Sequence, residues 1–241
     1  PNWPWREIYA AAKDLQVDGI EIRGIENEMY APRVRIFDDT NRGVTLAQLS
    51  SAGIALTQLT SGATLGMPDS PSAGRQEVLD YIEMARKTGV PYIRVMISNQ
   101  PGPEPVDLDQ AKALYLELCG AAKEKGVCLL IETNGVLADS KVMAEFMEGT
   151  DPAAAGVLWD IHHPYRFFGE SPAQTFGNIG KYVKNTHVKD SVLQDGKLTY
   201  RMMGYGDVPI YDALRILDGA GYQGFVTLEW TKRWNKELPE P

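Results

Sequence analysis

Seven times along this chain of 241 residues a short apolar run follows a longer amphipathic one, and that alternation limits the fold before any single residue is considered. Residues 5–16 predict a helix and 19–23 a strand. Helices near 44–52, 72–88, 107–125, 139–148, 172–181 and 209–219 then precede strands at 54–60, 91–98, 127–133, 156–161, 183–189 and 224–230. Gly53, Gly89, Gly126 and Gly156 stand between helix and strand, where glycine ends a helix in a left-handed cap. Repeated βα units imply parallel strands joined by helical crossovers. The expected architecture is an α/β (β/α)8 TIM barrel, one domain over residues 1–241, lacking the first strand and the last helix in the sequence shown. A doubly wound open sheet is the alternative, but it does not gather four separated strands around one axis.

Four of the predicted strands finish on a polar residue of metal-ligand type. Glu132 ends CLLIE, Asp160 ends GVLWD, His187 lies in VKNTHVK and Glu229 in FVTLEW. Three carboxylates and an imidazole at one end of a barrel repel one another unless a cation sits among them, and a divalent metal is the simplest one. A lone acidic residue at a strand end is better read as a cap or half of a salt bridge; four at corresponding positions are not. Glu132 and Asp160 are 28 residues apart and Asp160 and His187 are 27 apart, close to one βα unit. The interval from His187 to Glu229 is longer, 42 residues, because 191–201 carries an Asp195-Gly196 hairpin signal over the expected mouth. Oxygen donors with one imidazole favour manganese, with magnesium, cobalt and zinc as alternatives.

Side chains in a barrel alternate between the interior and the helix layer. Ile20 and Ile22 are expected outward, so Glu21 and Arg23 face inward as a buried charged pair. Arg94, Asn134 and Lys189 fall on interior faces too, and the interior becomes polar toward the mouth, as a sugar-sized ligand requires. Trp230 and Trp234 are candidates to stack on a sugar, whereas Trp3 and Trp5 are expected to pack across the barrel seam. The net charge of −8 opposes an extended nucleic-acid surface, no run is long enough to span a membrane, and no signal peptide is expected. Cys119 and Cys128 read as buried free thiols, in keeping with a cytoplasmic location. In Gly204-Tyr-Gly-Asp207, Asp207 is expected to cap the following helix, and its charge there opposes a phosphate, so an unphosphorylated substrate is expected.

The ETN, D-x-x-H, H-x-KD and LEW elements together resemble the xylose-isomerase-like barrel superfamily of sugar phosphate isomerases and epimerases, inosose dehydratase-like enzymes and the endonuclease IV branch. The resemblance runs from Asp18-Gly19 to Trp230. It implies a metal held by Glu132, Asp160, His187 and Glu229, with the two glutamates doubling as acid and base on opposite faces of the substrate. It also implies that His163 touches substrate or metal-bound water, while His162 is read as a packing histidine. The arginine usual after the seventh strand has no clean match; Lys189 and Arg201 are the candidates. The chain has three histidines, too few for a trinuclear zinc site, and its acidity opposes the DNA-repair branch. The implied activity is a divalent-metal-dependent sugar isomerase or epimerase acting on a ketose or related polyol through an enediolate. An inosose dehydratase-like lyase, with His163 or Lys189 as general acid, and a non-catalytic carbohydrate-binding accessory subunit are the alternatives. A small-molecule sugar is the expected partner, with neither nucleic acid nor membrane, and a homo-oligomer is compatible with the sequence.

Overall fold

The computed structural model describes residues 2–67, 71–236 and 238–239, with only the backbone of Pro71. Helix α1 (Trp5–Asp14) leads to β1 (Gly19–Ile22), α2 (Arg42–Ser51) to β2 (Ala55–Thr64) and α3 (Pro71–Thr88) to β3 (Tyr92–Met96). Helix α4 (Leu108–Lys123) leads to β4 (Cys128–Glu132) and α5 (Ser140–Met147) to β5 (Ala155–Asp160). A short α6 (His162–Phe168) and then α7 (Pro172–Ile179) precede β6 (Val183–Val188). The hairpin strands β7 (Asp190–Gln194) and β8 (Lys197–Arg201) follow, then α8 (Ile210–Gly219) and β9 (Val226–Leu228). The seven long-range strands form one parallel sheet in the order β1-β2-β3-β4-β5-β6-β9, a nearly closed α/β barrel.

Strand parity sorts the core into two layers. Leu129, Ile131, Val157 and Trp159 point to the helices and join the main apolar cluster, while Cys128, Leu130 and Leu158 form a small cluster of their own with Tyr92. No ladder joins β9 to β1 among the described residues. Side chains bridge that seam instead: Thr227 Oγ1 and Asn185 Nδ2 donate to Glu21 Oε1 at 2.7 and 2.9 Å, and Gln58 Nε2 donates to Glu21 Oε2 at 2.9 Å. Glu21 therefore sits in a polar layer that ties β1, β2, β6 and β9 together. No helix among the described residues is long and apolar enough to cross a membrane.

Two local expectations are corrected. Asp207 does not cap α8; the cap position is Pro209, and Asp207 pairs with Arg166. Helix α6 arises where only a strand end was expected. The Asp160 carboxylate accepts the His162 N–H at 2.9 Å, Pro164 falls in the first turn, and left-handed Gly169 (φ 67°) closes the helix.

Cys119 and Cys128 are both free and buried. Burial pushes the Cys119 thiol up to about 12 and the Cys128 thiol up to about 11. Both should therefore resist a thiol reagent at pH 8 in the native protein and react together once it is unfolded in guanidinium. Rapid labelling of either in the native state would contradict this packing.

Candidate active site

Each of the four strand-end residues reaches the same point through its backbone position. Asp160 lies opposite His187 in the β5–β6 ladder, and His187 opposite Thr227 in the β6–β9 ladder, two residues before Glu229. One donor atom from each of Glu132, Asp160, His187 and Glu229 lies within 4.8 Å of all the others. The ETN turn after β4 braces the group. Thr133 Oγ1 donates to the Asp160 carbonyl at 3.0 Å and accepts the Asp160 N–H at 2.9 Å, locking the ends of β4 and β5. The next turn needs glycine, because Gly135 has φ +57° and a Cβ there would stand 2.5 Å from Ser98 Oγ.

His187 carries the strongest sign of a metal site. Its Nε2 is held by Glu21 Oε2 at 2.8 Å, which fixes the ring. Its Nδ1 is buried and has no hydrogen-bond partner, 3.8 Å from Glu229 Oε1. A carboxylate-oriented imidazole whose other nitrogen is unpartnered, in a group with three carboxylates, suits a divalent ion. Burial alone would lower the His187 pKa, but the charges of Glu21, Glu229 and Glu132 outweigh it and raise it to about 9.

The cations of the protein complete the electrostatics. Lys189 Nζ donates to Asp160 and, at 2.5 Å, to Glu229 Oε2. Arg94 Nη1 donates to Glu132 Oε2 at 2.6 Å, and its Nη2 to the Ser61 carbonyl at 2.8 Å. Burial pushes the Glu229 carboxyl up, but Lys189, His187 and Arg94 together hold it well below the usual carboxylate range. Burial likewise opposes the charge on Lys189, and Asp160, Glu229 and Glu132 reverse that and keep the ammonium protonated. A divalent ion among the four donors would compete with Lys189 for Asp160 and Glu229.

The two adjacent histidines divide as their positions suggest. His163 lines the cavity, and its Nδ1 donates to the Thr133 carbonyl at 2.9 Å, leaving Nε2 as an acceptor 3.7 Å from Asp160 Oδ2. Burial lowers its pKa, so the ring is neutral near pH 7. His162 is fully buried, bonded through Nε2 to Ser191 Oγ at 2.8 Å and stacked on Tyr200 at 5.5 Å.

A cavity of about 350 Å³ opens over this cluster. Glu132, Glu229, His163, Lys189, Arg94 and Asn134 all line it. Asp160 and His187 are buried outside the wall, and Glu21, also outside it, lies against His187. Arg201 and Trp230 are not in the wall. Arg201 is exposed on the hairpin, and the Trp230 indole donates to the Pro239 carbonyl at 2.9 Å. The hairpin covers one side of the mouth through Tyr200. It is anchored by Asp190, whose carboxylate accepts N–H groups of Ser191, Gly204 and Gly206 at 2.8–3.0 Å, and by Arg166, which donates to Ser191. Tyr200 and Thr133 escape a sequence reading, one because a hairpin's landing place depends on distant residues, the other because its parity points away from the ligand. The expected Glu21–Arg23 pair is not formed: Glu21 turns to His187, while Arg23 lines the cavity.

Comparison with known proteins agrees with this architecture. The chain is 24% identical to fructoselysine 3-epimerase of Escherichia coli O157:H7, over 97% of this chain and 88% of the relative. In fold it is similar to a xylose isomerase domain protein from Planctomyces limnophilus, with a TM-score of 0.76 and 20% identity over 92% of this chain and 83% of that one. It is similar as well to the probable 3-DHS dehydratase from Bacillus anthracis, with a TM-score of 0.75 and 14% identity over 97% and 89% of the two chains. Residues 9–241 match the sequence model of the xylose isomerase-like TIM barrel, and the chain belongs to that family.

Proposed function

We propose that this protein is a divalent-metal-dependent sugar epimerase or isomerase that moves the proton on the carbon beside a ketose carbonyl. The observation that carries the reading is the partnerless, buried Nδ1 of His187 beside Glu229, in a group whose donor atoms, with those of Glu132 and Asp160, lie within 4.8 Å of one another at a polar cavity. These four residues would hold the ion, and three carboxylates with one imidazole suit manganese. When bound, the metal supplies Lewis-acid polarisation of the carbonyl and its neighbouring hydroxyl.

The chain's own residues supply the proton transfers. Glu132 and Glu229 come from opposite flanks of the ligand set, on β4 and just after β9, and both reach the cavity. One removes the α-proton and the other returns a proton from the opposite face, which inverts the carbon. Lys189 lines the cavity and can donate to the oxygen that gathers charge as the proton leaves. His163 Nε2 accepts from a substrate hydroxyl. Asn134 also lines the cavity, and its Oδ1 has no hydrogen-bond partner, so it can accept from another hydroxyl. Elimination shares the first proton removal and needs an acid on the β-hydroxyl; Lys189 in the wall makes that the second reading.

The test is solvent deuterium wash-in, followed by NMR, on a panel of ketoses and inososes with manganese supplied. Exchange with formation of an epimer supports the proposal. Loss of water with an enone absorbance selects elimination. The reading fails if no member exchanges and the protein binds no divalent ion. Glu21 gives a separate readout: Glu21→Gln weakens the partner of His187 and should reduce manganese affinity about 10–100-fold by calorimetry. An unchanged affinity would remove His187 from the ligand set.

A further inference from the structure

Arg23 follows β1 and lines the cavity beside Gly62. Its Nη1 donates to the Met29 carbonyl at 3.0 Å, and among the described residues no carboxylate is ion-paired with it. The other two cations in the wall are engaged, Arg94 by Glu132 and Lys189 by Asp160 and Glu229. Glu77, whose charge Arg23 also feels, uses Oε1 to accept the Gly62 N–H at 2.6 Å. Gly62 itself keeps the space open, since a Cβ there would lie 3.0 Å from Arg23 Nη2. Burial, and then the like charge of Arg94, disfavour the protonated guanidinium, with Arg233 adding to the repulsion. A partly buried guanidinium in such surroundings is stabilised by an anion that it can grip with two parallel hydrogen bonds.

We infer that Arg23 is the anion subsite of this cavity, so that the sugar turned over at Glu132 and Glu229 carries a phosphate or carboxylate group. The inference rests on the sugar reading above and names the substrate class within it. It replaces the expectation of an unphosphorylated substrate, which rested on Asp207. The segment around Asp207 is committed elsewhere: the N–H groups of Gly204 and Gly206 are spent on Asp190, and Asp207 is paired with Arg166. The anion site lies on the β1 side of the barrel instead.

The experiment is calorimetric titration of the manganese-loaded protein with D-fructose, D-fructose 6-phosphate and D-fructuronate, for wild type, Arg23→Gln and Arg23→Lys, each first shown to be folded by circular dichroism. The readout is the ratio of each acid's affinity to that of D-fructose within one variant. A charge-assisted pair predicts a wild-type ratio of about 10–100 for at least one acid. Arg23→Gln should bring that ratio to within about twofold of one, and Arg23→Lys should keep part of it, because lysine retains the charge but not the fork. Whichever acid shows the larger ratio identifies phosphate or carboxylate as the group. A wild-type ratio near one for both acids, or a high ratio that survives in Arg23→Gln, overturns the inference while D-fructose binding leaves the sugar reading intact. If none of the three binds, the inference is overturned, and deuterium wash-in over the wider ketose and inosose panel decides the sugar reading separately.

Discussion

Glu229→Gln should lower epimerisation by about 10²–10⁴-fold at saturating manganese, the usual contribution of a positioned acid–base group. Glutamine keeps the shape and one ligand oxygen of the carboxylate but cannot take up a proton. It also leaves Lys189 with Asp160 as its remaining carboxylate partner. Manganese binding must therefore be measured alongside, and the rate expressed per bound ion. Glu132→Gln should cost a similar factor, because inversion needs a group on each face. The two variants separate in deuterium wash-in. Each should still exchange the α-proton of the epimer that faces its surviving glutamate and lose exchange from the other epimer; the double variant should lose both. A variant that epimerises within tenfold of wild type with metal bound would exclude that glutamate from proton transfer. A carbohydrate-binding module would show altered affinity with no exchange to lose.

The residues that sequence reasoning located are those whose position the backbone determines. A strand in a βα barrel has one interior face, and its last interior residue must point into the mouth. Glu132, Asp160, His187 and Glu229 follow from that rule, and so does the inward turn of Glu21. The residues it misplaced are those whose partner is chosen by distant side chains. Glu21 and Arg23 share a face and were expected to pair, yet Glu21 meets His187, 166 residues further along, and Arg23 rises into the cavity. Asp207 looked like a helix cap because of the helix after it, but Arg166 arrives from α6 and takes its carboxylate. Helix α6 itself is short, opens on two histidines and a proline, and has no apolar periodicity to announce it. It forms because the carboxylate of Asp160 and the left-handed Gly169 close its ends.

Arg94→Met should destabilise the metal-free protein by about 3–5 kcal/mol, the cost of leaving one member of a buried ion pair without its partner. Arg94 and Glu132 are both nearly inaccessible, at 6% and 2% side-chain exposure, so water cannot replace the lost guanidinium. Methionine fills much of the same volume, which keeps a cavity term small. The Ser61 carbonyl loses a donor in the same step, since Arg94 Nη2 reaches it at 2.8 Å. Chemical denaturation should show the loss as a lower midpoint. Removing the orphaned charge as well distinguishes pairing from packing: the double variant Arg94→Met with Glu132→Gln should be more stable than Arg94→Met alone. Manganese gives the second discrimination. If Glu132 is a ligand, the ion supplies the positive charge that Arg94 no longer does, and manganese should raise the midpoint of Arg94→Met by more than that of wild type. Equal metal effects in the two proteins would mean that Arg94 and the ion do not share Glu132, and the four-residue ligand set would have to lose that member.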